Sequence, residues 1–238
     1  VEPPEGRDPR RREGPGVVTS ALQAIIFDFD GVIANSEPLH FTAFKQALDE
    51  DGIDLSAADY FAHYLGFDDV GVFRALGRDR GLPMTEPRVS ELVARKGERL
   101  QELLASGGVL FPGAAEFIRQ AAAAVPVAIA SGALRHEIEE ILEAAELRAL
   151  FRTIVASGDT PASKPSPAPY QKAFEQLRAE TGVALDPRRS VAIEDSRWGI
   201  ESARGAGLRC VGVTNSYPAH ALPGAELIVG GLGSLTLA

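Results

Sequence analysis

Six short apolar runs constrain the fold of this chain more than any other feature: 23–29, 125–130, 153–156, 190–193, 208–213 and 226–229. A strand with one wet face alternates apolar and polar residues. Continuous apolar runs of this length suit strands covered on both faces. Helical spacing separates several of them. Leu134, Ile138, Ile141, Leu142 and Ala145 recur on one helix face, as do Tyr170, Phe174 and Leu177. Strand–helix alternation predicts an α/β fold, a doubly wound parallel sheet with a Rossmann-like core.

The stretch 37–107 breaks the alternation. It carries helical patterns over 39–48, 70–76 and 89–104 and no convincing strand. It is expected to be an inserted all-helical cap, with residues 21–36 and 108–238 forming the catalytic core. The hinges would be Ser36-Glu37-Pro38 and Ser106-Gly107-Gly108. An insert directly after the first strand would hang over the strand tips, where it can act as a lid. Residues 1–20 are rich in Pro, Gly, Arg and Glu without hydrophobic period, and are expected to be a disordered tail.

The formal net charge of −9 argues against nucleic-acid binding, which needs a basic face. No apolar run approaches the roughly 20 residues that span a bilayer, so no membrane partner is expected. Cys210 is the only cysteine, which rules out an intrachain disulfide and a multi-cysteine metal site. With no apolar secretory core in the first 20 residues, the expected compartment is the cytoplasm and the expected state a monomer.

The chemistry collects where predicted strands end. Asp28-Phe29-Asp30-Gly31-Val32 follows the first run, and ligands of open parallel sheets bind beyond the C-terminal strand ends. Two aspartates there want a cation, although an acidic Asp-Gly turn is the plain alternative. Ser131-Gly132 follows the second run, Ser163-Lys164-Pro165 the third, and Glu194-Asp195-Ser196 the fourth. Each taken singly is ordinary turn or cap chemistry. Together they are harder to dismiss. Two like charges about 5 Å apart at an effective dielectric of about 20 cost roughly 3 kcal/mol. Asp28, Asp30, Glu194 and Asp195 therefore need compensation, which Lys164 and a hard divalent cation would supply. Oxygen ligands suit magnesium.

The motif DFDGVIANSEPLH, the strand-terminal Ser131, the loop Lys164, and EDSRWGI with AGLRCVGV behind it resemble the haloacid dehalogenase-like superfamily of aspartate-nucleophile phosphotransferases. The resemblance runs from about Leu22 to the C-terminus. The helical insert matches the group with a four-helix cap, and within it the beta-phosphoglucomutases and their phosphatase relatives. It implies that Asp28 is the nucleophile and that Asp30 is the acid and base, with its backbone carbonyl on the metal. Ser131, Gly132 and Lys164 would hold the phosphoryl group. Asp195 would complete the Mg2+ site with Asp28, and Glu194 would be a direct or outer ligand. Ser36 and His40 match positions tied in that group to substrate and cap closure; the alternative for His40 is a helix-surface residue.

A halide leaves without a proton, whereas an alkoxide needs an acid such as Asp30, which disfavours dehalogenation. Sugar-phosphate mutases of the group carry Lys and Arg on a cap loop. Here that loop reads Leu65-Gly66-Phe67-Asp68-Asp69, with Arg74 and Arg78 the nearest substitutes. Tyr60, His63, Tyr64 and Phe67 are expected to pack within the cap, and Trp198 within the core. The implied function is a magnesium-dependent phosphatase of a small phosphorylated metabolite, a sugar phosphate. The alternatives are a beta-phosphoglucomutase-type mutase, an inorganic pyrophosphatase, or a regulatory binding protein without turnover.

Overall fold

A computed structural model describes residues 22–64, 67–105 and 108–237. The expected tail, and Ser106 and Gly107 of the second hinge, lie outside the described residues. All six apolar runs form strands: β1 (Ala24–Phe27), β2 (Val127–Ala130), β3 (Phe151–Val155), β4 (Ser190–Glu194), β5 (Arg209–Val213) and β6 (Leu227–Val229). Every pairing is parallel, in the order β3-β2-β1-β4-β5-β6. β1 lies between β2 and β4, so the strand order reverses direction at its tip. Such a switch point opens a crevice for ligands.

Strand periodicity divides the core into two layers. Ile25, Phe27, Val127, Ile129 and Ile193 face one side, and Ala24, Ile26, Ala128, Ala130 and Ala192 face the other. The first side is covered by α4 (Ala114–Ala124) and α5 (Arg135–Ala144), and Phe27 meets Phe117 and Phe151 edge-on. The second is covered by α6 (Ala168–Thr181) and α7 (Arg197–Gly205) through Tyr170, Phe174, Ile200 and Ala203. Small residues on this face let the helices lie close to the sheet.

The insert holds α1 (Glu37–Asp49), α2 (Asp69–Arg80) and α3 (Glu86–Ala105), with short helical turns over Ala57–Asp59 and Tyr60–Tyr64. It buries a cluster of its own around Phe44, Leu48, Tyr60, Phe73, Leu76 and Leu92. Asp68 caps α2 by accepting from the Gly71 N–H at 2.7 Å, and Gly81 ends the helix at φ +64°. No helix among the described residues is long and apolar enough to cross a membrane.

Two packing expectations change. Tyr60 and Tyr64 are buried, but His63 is exposed and Phe67 is 51% exposed. Trp198 is also exposed, at 42%, lying against the Arg197 guanidinium and edge-on to Tyr217. The reason is register: α7 turns Gly199, Ile200 and Ala203 inward, which leaves residue 198 facing out.

Candidate active site

The end of β1 places Asp28 beside β4, where its backbone N–H donates to the Ile193 carbonyl at 2.9 Å. The chain then makes one tight turn, with the Phe29 carbonyl accepting from the N–H groups of Ile33 and Ala34 at 2.8 and 3.0 Å. Gly31 sits in this turn at φ +78°, and a Cβ there would lie 1.9 Å from Asp195 Oδ2. Only glycine permits both the conformation and the approach. Asn215 Nδ2 pins the turn through the Gly31 carbonyl at 2.7 Å.

Lys164, from the loop between β3 and α6, reaches into this crevice. Its ammonium lies 2.6 Å from both Asp28 Oδ1 and Glu194 Oε1. Glu194 is wholly buried and its two oxygens are engaged. Oε1 also accepts from the Tyr170 hydroxyl at 2.8 Å, and Oε2 from the Asp195 N–H and the Ser196 hydroxyl, each at 3.2 Å. A Cβ on Gly199 would overlap this carboxylate at 1.9 Å, so α7 can begin here only with glycine.

Asp28, Glu194 and Asp195 bring carboxylate oxygens within 4.8 Å of one another. An all-oxygen set of this kind fits a hard divalent cation such as Mg2+. Burial pushes the Asp28 carboxyl above its ordinary range; Lys164 opposes the shift, and Glu194 and Asp195 add to it. Asp195 is pushed up to about 6, chiefly by burial, against a hydrogen bond from Ser216. Burial alone would lower the Lys164 ammonium, but the Asp28 and Glu194 carboxylates outweigh it and hold it above its usual value.

Asp30 has different company. Its carboxylate accepts from the Ser36 hydroxyl at 2.5 Å. Burial lifts it to about 6, with Ser36 opposing and the charges of Glu137 and Glu37 adding. It borders a cavity of about 510 Å³ between insert and core, lined also by His40, Asp69, Gly132 and Glu137. Ser131 is buried at the tip of β2, and its hydroxyl accepts from the Ala133 N–H at 3.1 Å.

The family model for haloacid dehalogenase-like hydrolases matches residues 25–213, a span running from β1 through β5. The chain belongs to that family. It is 34% identical over 206 residues to the protein CbbY of Rhodobacter capsulatus, covering 82% of this chain and 87% of that one. It is 30% identical over 196 residues to hexitol phosphatase B of Escherichia coli, covering 80% and 82%. The crystal structure of CbbY from Rhodobacter sphaeroides in complex with phosphate superposes with a TM-score of 0.74 at 28% identity, covering 90% and 96%.

The fold brings together Asp28, Lys164, Glu194 and Asp195 at one end of the sheet, with Asp30, Ser36, His40 and Gly132 on the adjoining cavity. Asp28 and Asp30 engage different partners, because the turn that begins at Phe29 ends the strand alternation. Spacing in the sequence did not pick out Lys96 or Ser216, and it marked Tyr170 only as one face of a helix. Lys96, on α3 of the hydrolase, is 1% exposed. It donates to both Asp69 oxygens at 2.9 and 3.0 Å and lies 3.0 Å from His40 Nδ1. Arg74 is spent on an exposed pair with Glu86 at 2.7 Å, and neither it nor Arg78 lines the cavity.

Burial, with Lys96 adding, lowers the His40 imidazole to about 4, so it is neutral at pH 7. Lys96 donates to Nδ1, which leaves the proton on Nε2. In the unfolded chain His40 returns to about 6.5, so between pH 6.5 and 4 the unfolded state binds this proton first and stability is lost as the pH is lowered. Asp30 and Asp195 act in the opposite sense, because the native state protonates them first. The informative quantity is therefore a difference between proteins. His40→Gln should lose less stability than the parent between pH 6.5 and 4 in urea titrations. Equal losses would overturn the buried, neutral assignment.

Proposed function

We propose that this hydrolase is a magnesium-dependent phosphatase of a small phosphorylated metabolite, a sugar phosphate, working through an aspartyl-phosphate on Asp28. The observation that carries the reading is the double grip of Lys164, 2.6 Å from Asp28 and from the saturated Glu194, beside the Asp195 carboxylate. An Asp28 oxygen attacks phosphorus as the ester bond breaks. Asp30 gives its proton to the departing alkoxide, then takes one from the water that cleaves the acyl phosphate. A carboxyl titrating near 6 suits both duties around neutral pH. The Ser131 hydroxyl, the Gly132 N–H and Lys164 hold the phosphoryl oxygens.

Asp28, Asp195 and the Asp30 carbonyl would hold Mg2+, which when bound neutralises phosphoryl charge and orients the ester. Glu194 acts as the anchor of Lys164, since both its oxygens are engaged by protein donors. The insert serves as a cap hinged at Ser36-Glu37-Pro38, with His40 on its cavity face and the buried Lys96 bonded to it.

Magnesium should raise the melting temperature as well as support turnover. A ligand bound only by the native state adds about 2.7 kcal/mol at a hundredfold excess over its dissociation constant. Asp195→Asn should lose most of both effects, read by thermal melts with and without chelator. Full activity in chelator overturns the metal assignment.

The function is tested by phosphate release across phosphorylated metabolites with magnesium, with isomerisation of beta-glucose 1-phosphate followed in parallel. Phosphate release is expected. Glucose 6-phosphate appearing well ahead of phosphate would replace the hydrolase reading with a mutase.

A further inference from the structure

The cavity has a composition of its own. The acids lining it are Asp30, Glu37, Asp68, Asp69 and Glu137, and among the described residues no lysine or arginine lines it. The buried Lys96 is already spent on Asp69 and His40, and the Asp68 carboxylate caps α2.

Glu137 differs from the rest. It stands on the first turn of α5, three residues after the N-cap residue Leu134, which places it near the backbone N–H groups that open the helix. No side-chain hydrogen bond or ion pair engages it among the described residues. It is half-buried, and its charge is felt by Asp30 across the cavity.

Building on the phosphatase reading, we propose that Glu137 is a specificity-determining residue: it accepts hydrogen bonds from hydroxyls of a neutral leaving group and refuses a second phosphate at the far end of the cavity. A carboxylate can accept from a diol. It can only repel a phosphate dianion unless a cation intervenes. This separates the chain from its relative from Rhodobacter sphaeroides, which was solved with xylulose-(1,5)bisphosphate bound.

The test uses binding to Asp28→Asn protein with magnesium, so that it is independent of turnover. Fructose 6-phosphate and fructose 1,6-bisphosphate are titrated calorimetrically, with and without Glu137→Gln. Glutamine keeps the helix-capping interaction, and a melting curve checks the fold. The monophosphate should bind the Asp28→Asn protein about tenfold more tightly, and Glu137→Gln should close the gap to about threefold or less. A gap unmoved by Glu137→Gln, a bisphosphate bound as well as the monophosphate, or no binding of either sugar overturns the proposal. Failure of the phosphatase reading is distinct: the wild type would release no phosphate while the binding ratio stood.

Discussion

Asp28→Asn is expected to reduce phosphate release by at least about a thousandfold while leaving the fold intact. The amide is nearly isosteric with the carboxylate but does not form an acyl phosphate. Stability should hold or rise, because one of three buried carboxylates crowded within 4.8 Å loses its charge. Lys164 keeps its partner, since Glu194 lies as close to it as Asp28 does, at 2.6 Å. Steady-state phosphate release and urea unfolding check both halves. More than a few per cent of residual activity would rule out Asp28 as the nucleophile.

Lys164→Met should also be severe for turnover, though less so, and opposite in its effect on stability. Removing one partner of a buried ion pair costs about 3–5 kcal/mol, because the remaining charge stays buried without compensation. Here two carboxylates are stranded, and Glu194 is wholly inaccessible to water. Phosphate release should fall at least about a hundredfold through loss of a fixed positive charge at the phosphoryl group. Adding Glu194→Gln to Lys164→Met should recover much of the stability and none of the activity, a coupling that a double-mutant cycle measures. A Lys164→Met protein as stable as the parent would mean that the 2.6 Å contacts do not hold the native state together.

These two variants rest on residues of different legibility. Asp28 is visible in the sequence because it follows a continuous apolar run, and a buried parallel strand has no other way to be written. Ser131 and Asp195 are visible for the same reason, each standing just past such a run, and Lys164 stands in the loop after the third run. Lys96 is not. A lysine on a charged helix reads as solvated surface, and its partner His40 lies 56 positions away. Glu194 is an intermediate case. Its neighbourhood with Asp195 suggests a metal ligand, and only Tyr170, Lys164 and the Cβ-free Gly199 reveal that its oxygens are engaged.

By itself the sequence determined the six strands, their parallel character, the helices that lie between the first and second, and which residues stand at the strand tips. Each of these follows from hydrophobic period and order along the chain, which are local properties. Only the tertiary structure decided how the charges pair: Lys164 between Asp28 and Glu194, Lys96 between Asp69 and His40, and Glu137 left without a side-chain partner. Pairing depends on distance and burial between groups far apart in sequence. Coulomb energy and desolvation act through space and leave no period in the chain.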